Sequence, residues 1–309
     1  MADLVSQLEL LIPNTLTDAG LVSSTVPETD YPAYVAGTTY NTIGDRVIKN
    51  HHVYENLRTG NLGHDPSLVA NRNGVTPWWN DLGATNRWAM FDQQNSTQTV
   101  GGSTLTVVMV TGSVGSIFSS NIDADYVDVS VKDQVGGTVI YTKHIDMDSS
   151  DVSDYDEYFF DGYDFLTSFL VDDIDVYFNP EVTVTYTKAS GNVAVGSLFM
   201  GRTENLGETQ FGVTLSPRTF STIATDKFGV TSIVRRPFAT DMKATAQVDL
   251  EQANKAVRVV QRSLDIPCVV IGSNLPGYEA LQVYGLVSAS FGYNYHKKII
   301  LTLSVNGMI

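Results

Sequence analysis

Four stretches constrain the fold of this chain more than anything else in it. Residues 103–110 (STLTVVMV), 125–133 (DYVDVSVKD), 137–145 (GTVIYTKHI) and 181–189 (EVTVTYTKA) are rich in Val, Thr, Ile and Tyr, and their apolar residues alternate with polar ones at a period close to two. Side chains on an extended backbone point to opposite faces in turn, so this period describes strands buried on one side and solvated on the other. Glycine-rich turns separate the stretches, and the expected architecture for residues 97–220 is a β-sandwich.

The charge is uneven in a way that bears on partners. Of the net charge of -15, residues 121–181 supply 16 acidic and 2 basic side chains, which leaves the rest of the chain nearly neutral. The outward face of the sandwich is therefore expected to be acidic and solvated. Nucleic acid is excluded as a partner, because neutralising phosphates needs clustered Lys and Arg. No apolar run is long enough for a membrane helix, and the first residues lack the basic start of a signal peptide, so no membrane insertion is expected. Cys268 stands alone in the apolar run IPCVVIG, where it reads as a buried inert thiol. One cysteine permits neither a disulfide framework nor a cysteine metal site.

A length of 309 residues suggests two or three domains. Residues 1–30 begin with VSQLELLIP and turn polar, which reads as an apolar arm followed by a linker. Such an arm packs back on its own chain or onto a neighbour in an assembly; Leu8, Leu10 and Leu11 are its candidate assembly contacts. Residues 31–96 read as a small all-β module, with short strands over Arg46 to Ile48 and His52 to Glu55 between Gly, Asn and Asp. All three tryptophans lie in residues 76–92 (TPWWNDLGATNRWAMFD). Trp78 and Trp79 point to opposite faces of an extended segment, residues 81–86 read as a turn, and residues 88–91 are apolar again. One ring is expected to close the small module while others anchor the next unit.

Gly37-Thr38-Thr39-Tyr40, Gly44-Asp45-Arg46-Val47, Val53-Tyr54-Glu55 and the tryptophan pair together resemble the small carbohydrate-binding modules attached to bacterial chitinases. In that family exposed aromatic rings stack on sugars, and the resemblance implies Tyr34, Tyr54, Trp78 and Trp79 as carbohydrate contacts. Tyr34 stands where the family usually has Trp, and the segment over residues 57–75 is longer than usual.

Other constellations carry less. His51, His52 and His64 share the module, but neighbouring histidines on a strand face opposite ways and no acidic partner is near in sequence, so no metal is expected. DVSDYDEY at residues 151–158 nearly spells the chitinase active-site pattern, yet Glu157 falls one position early and turns to the wrong face. Asp146, Asp148, Asp151, Asp154 and Asp156 suit a hard cation by type without the spacing of a calcium loop, and read as solvated acids. No phosphate-binding glycine loop or nucleophile elbow is present. The expectation is no enzyme, no cofactor and no metal.

Residues 221–309 read as a small α+β domain of order βαβββ. A strand over residues 243–248 precedes a helix whose stripe is Leu250, Ala253, Val257, Val260 and Leu264, with Asp249 as N-cap and Gln252 three residues on. Strands over residues 267–271, 281–287 and 299–305 follow. This order, with LGATNRWAMFD at residues 82–92 and VRRPFATDM at residues 234–242, resembles a family of tailed-bacteriophage virion proteins. The resemblance implies a tail structural component, in the tip, baseplate or collar region, assembled in the host cytoplasm as an oligomer. Its implied partners are copies of itself, neighbouring phage tail proteins and host-surface polysaccharide. Arg235 and Arg236 are then candidate assembly contacts. The alternative is a receptor-binding adhesin whose main role is carbohydrate recognition. The expected fold is mainly β: small module, central sandwich and C-terminal α+β domain.

Overall fold

A computed structural model describes residues 6–148, 165–225, 227–275, 277–293 and 295–308. The chain is mainly β. It opens with β1 (Gln7–Pro13) and β2 (Leu21–Ser24), then enters the small module: β3 (Thr39–Tyr40), β4 (Arg46–Lys49), β5 (His52–Asn56), β6 (Asn61–Leu62), a single helical turn α1 (Val69–Arg72) and β7 (Trp79–Ala84). There follow β8 (Thr99–Val100), β9 (Thr104–Val110), β10 (Ser113–Val114), β11 (Ser116–Asp123), β12 (Tyr126–Lys132), β13 (Val139–Asp146), β14 (Ser168–Val171), β15 (Tyr177–Phe178), β16 (Glu181–Thr187) and the 16-residue β17 (Ala194–Thr209). The last part holds β18 (Thr214–Thr219), β19 (Thr222–Thr225), β20 (Thr231–Val234), β21 (Phe238–Asp249), α2 (Leu250–Ser263), β22 (Cys268–Ile271), β23 (Gln282–Gly292) and β24 (Lys298–Gly307).

The four alternating stretches form β9, β12, β13 and β16, which with β2 make a five-stranded sheet in the order β13-β12-β16-β9-β2. Leu105, Val107, Val127, Val129, Val182 and Val184 turn one face of it onto Ile117, Phe169, Val171, Val195 and Leu198 of β11, β14 and β17. This is the sandwich, and its two layers are tied by a buried polar chain. The Tyr186 hydroxyl donates to Ser119 Oγ at 2.9 Å, and that hydroxyl donates to the Ser197 carbonyl at 2.9 Å. The Tyr186 and Ser119 hydroxyls and the Ser197 carbonyl are thereby paired inside the apolar core.

The second sheet does not stop at the sandwich. β17 pairs with β1, β1 with β22, then β22 with β23, β23 with β24, β24 with β21, and β21 returns to β17 through Glu208↔Gln247 and Thr209↔Ala246. All these pairings are antiparallel, so six strands close into a barrel whose filling includes Leu8, Leu10, Leu206, Ala246, Leu301 and Leu303. Closure leaves these six strands no free edge over the paired segments. Residues 7–13 are thus no external arm: Leu8, Leu10 and Leu11 are each 0 % exposed inside their own chain, and none is available to a neighbour. The alternation of β1 sends Leu8 and Leu10 into the barrel and Leu11 the other way, onto Val269, Ile271, Phe118 and Tyr284 between barrel and sandwich. A boundary at residue 220 falls inside one continuous structure, because β17 belongs to both parts; the expected βαβββ order is present as β21, α2, β22, β23 and β24, and β1 and β17 close these strands into a barrel.

α2 packs on this barrel through Ala253, Ala256, Val259, Val260 and Ser263. The expected stripe is rotated: Leu250 and Leu264 are exposed and Val257 is only half-buried. Alanines on the contact face let the helix axis lie close to the strands, an advantage that a ranking by hydrophobicity does not register. Asp249 does occupy the N-cap position, but its side chain makes no capping hydrogen bond.

Two backbone positions make the closure possible. Gly207 has φ +123°, and a Cβ there would lie 2.4 Å from the Gln247 carbonyl oxygen; a Cβ on Gly201 would lie 2.3 Å from the carbonyl oxygen of Ile12. Only glycine fits such approaches. Gly207→Ala is expected to cost about 1–3 kcal/mol, and Leu10→Ala about 2–5 kcal/mol, both read from chemical or thermal denaturation. Deleting residues 1–13 is expected to abolish the cooperative transition of the barrel, since it removes one of six wall strands.

Candidate functional site

The small module is built on the three-stranded antiparallel sheet β4-β5-β7, the antiparallel pair β3-β6 and an aromatic cluster. β4 and β5 form a hairpin whose register, Lys49↔His52, leaves a two-residue loop. Asn50 and His51 in that loop have φ +49° and +64°, the left-handed pair that a type I′ turn demands. β7 pairs with β5. Residues 81–84, which read as a turn, continue this strand past a register shift, with Gly83 at φ +101°. The turn-like signal of Asp81 has a different use: its carboxylate accepts from Arg72 Nη1 at 2.6 Å and the Gly83 N–H at 3.0 Å and pairs with His52 Nδ1 at 3.0 Å, fastening α1 to both strands.

Of the four sequence candidates for sugar contact, Trp79 is 0 % exposed and Tyr54 3 % exposed, so both belong to the core of the module and are withdrawn as contacts. The Trp79 indole N–H donates to the His64 carbonyl at 2.7 Å, and its ring meets Tyr34 and Tyr40 edge-on at 5.9 and 5.2 Å. An aromatic at the start of a strand that must fill a small core is the largest apolar group available, which is why the second ring of the pair turns inward. Tyr34 is half-buried, stacked on Tyr40 at 5.8 Å with Lys49 Nζ 5.0 Å above its ring. Trp78 is half-buried on the outside of the module, parallel to His64 at 3.9 Å and with the Arg58 guanidinium 4.5 Å from its centroid. His64 and Arg58 thus both lie over the Trp78 ring near the surface of the module.

The histidines have acidic partners that sequence proximity did not disclose. His51 Nδ1 lies 2.9 Å from Glu28 and its Nε2 2.9 Å from Asp18, both contributed by the segment after β1. Thr85 Oγ1 donates to the same Glu28 at 2.9 Å, the Thr85 N–H donates to the His51 carbonyl at 2.8 Å, and the imidazole packs on Trp88 at 4.1 Å. Each ring nitrogen of His51 thus faces its own carboxylate. The two carboxylates do not converge on one point, and among the described residues no His, Cys, Asp and Glu group has the geometry to hold a metal ion. The signal that was readable is the Asn-His pair between two β runs; the identity of its partners depends on the path of residues 14–30. Trp88 and Met90 pack on the sandwich core, so this seam joins module and sandwich. Asn86 completes it by exchanging hydrogen bonds with the Val100 backbone at 2.8 and 2.9 Å.

Arg235 and Arg236 lie at the end of β20, exposed, and neither has an ion-pair partner among the described residues. The near-chitinase pattern at residues 151–158 and most of the calcium candidates lie outside the described residues. Cys268 is buried in the barrel, and burial pushes its thiol up to about 12, the behaviour of an inert side chain. No helix among the described residues is long and apolar enough to cross a membrane. No family model matches the chain, and neither a curated protein nor a solved structure matches it.

Trp79→Ala is expected to lower stability by about 3–5 kcal/mol, whereas Trp78→Ala leaves the melting curve nearly unchanged; the two curves measured side by side check the assignment of core and surface ring. Acid should loosen the module. Burial alone would raise Asp65 and Asp81, but Lys49 and Ser67 around the first, and His52, Gly83 and Arg72 around the second, hold both carboxyls below the ordinary range. At these two carboxyls the folded chain therefore binds fewer protons than the unfolded one around pH 4 and below. Their contribution is complete above that pH and is lost as pH falls through the depressed folded values. Melting temperatures from pH 6 to pH 2 should drop in this window, and Asp81→Asn should flatten the profile.

Proposed function

We propose that the protein is a structural component of a bacteriophage tail, assembling as an oligomer in the virion, with its N-terminal module turned toward host-surface polysaccharide. The observation that carries this reading is a rigid body with a projecting contact element: sandwich and barrel share β17, and from the barrel wall β18 and β21 continue into the two-stranded ribbon β19–β20, whose residues are all exposed. A welded body that offers an apolar ribbon to its surroundings suits a subunit held by repeated contacts. The two sequence stretches most like phage virion proteins occupy structurally decisive places. Residues 82–92 form the seam between module and sandwich, and residues 234–242 form the root of the ribbon. Quantifying the chain in purified particles tests the reading: a tail component is present at a fixed, symmetric copy number, and its absence from particles would sink the proposal.

The adhesin reading is favoured by one feature, the flat group of Trp78, His64 and Arg58, since aromatic faces suit sugar rings. On that reading Trp78→Ala weakens adsorption to host polysaccharide several-fold without changing the melting curve. Unchanged adsorption would remove the site.

A further inference from the structure

The ribbon has physical properties that call for a partner. A two-stranded hairpin is marginal in water by itself, and natural proteins cover or charge exposed strand edges. Here β19 and β20 pair only with each other among the described residues, so both outer edges lack a neighbouring strand. Ile223 and Ile233 are cross-strand partners on one face, both exposed, and Phe228 near the tip is 79 % exposed. Large apolar groups clustered on a ribbon with open edges are the composition of a contact surface.

Charge says which partner. Residues 214–238 carry Arg218, Lys227, Arg235 and Arg236 against the single acid Asp226, in a chain whose net charge is -15. Arg218 is already paired with Asp241 at 3.1 Å, while Arg235 and Arg236 are exposed at the base of the ribbon. The surface of opposite sign lies on the same chain, at the edge of the sandwich. There Asp128 and Asp146 stand exposed on β12 and β13, and Asp172, Asp173 and Asp175 stand exposed in the turn after β14. Among the described residues β13 pairs only with β12. The basic residues on β12 and β13 are Lys143, 3.4 Å from Asp173, His144, 2.6 Å from Asp128, and Lys132, paired with Glu181.

We infer that the ribbon of residues 214–238 is an assembly arm that docks on the acidic β13 edge of a second copy of this chain, Arg235 and Arg236 facing the carboxylates and Ile223 and Ile233 covered in the contact. The inference rests on the self-assembly part of the function proposed above. The two surfaces are different, so the contact is head-to-tail and builds a ring or a stack.

The test is sedimentation of the purified full-length chain over a concentration series, with circular dichroism melting as the folding control. Arg235→Glu/Arg236→Glu and, separately, Asp172→Lys/Asp175→Lys are each expected to weaken association at least tenfold. In an equimolar mixture the reversed arm meets the reversed face and the native arm meets the native face, so association returns. Ile223→Ser/Ile233→Ser tests the apolar part of the same arm and carries the test if charge reversal disturbs folding. The proposal is overturned if the native chain stays monomeric, if the arm variants associate like the native chain, or if mixing restores nothing. A variant that enters particles at normal copy number removes this contact while leaving the tail assignment in place.

Discussion

The pairing of β1 between β17 and β22 is the interaction on which the remaining architecture depends. It places a strand from one end of the sequence between strands from its middle and its end, and so turns a sheet that would have two open margins into a closed wall. Closure requires the β17 backbone to come within reach of β21, and Gly207 provides this where a side chain would strike the Gln247 carbonyl. Once the wall is closed, Leu11 on its outer side must be covered, and Phe118, Phe199 and Tyr284 do this with ring centroids 5.2–5.5 Å apart. The sandwich and the barrel are thereby held by a common strand and a common apolar cluster.

The local parts of this fold were legible because they depend on local period. Alternation identifies β9, β12, β13 and β16 without any knowledge of their partners, and the last three strands and the helix are equally visible. What periodicity cannot supply is pairing over long separations. β1 carries a strand-length apolar run, but nothing in its own residues states that its neighbours are β17 and β22. For the same reason the sequence left open whether the arm with Leu8, Leu10 and Leu11 packs on its own chain or on a neighbour, and all three prove to be core of their own chain. The rotated stripe of α2 has a different origin, since Ala253 and Ala256 are chosen for closeness of approach and Leu250 is left in water.

The aromatic module divides in the same way. That a tryptophan pair would organise it was readable, but which ring turns inward depended on the strand to which β7 pairs. Trp79 and Tyr54 are consumed by the core, and the polar contacts of Asp81 use a turn-forming residue to stiffen a strand. The apolar half of its attachment to the sandwich, through Trp88, Met90 and Phe91, follows the expected anchoring of the next unit; the polar half was not readable, because Asp18 and Glu28 are brought to His51 only by the path of the chain.

The position of β1 also fixes an order of events in making the protein. During synthesis its leucines emerge long before anything that can cover them: the partners of Leu10 are Glu204 and Val270, and neither exists until most of the chain has left the ribosome. The strands of the small module lie within residues 39–84, whereas the barrel wall joins residues 7–13 to residues 268–271, and pairings of high sequence separation form slowly. Through that interval β1 is an apolar strand without a sheet, and the chain's exposure to misassembly is concentrated in the time between translating its first strand and its twenty-second.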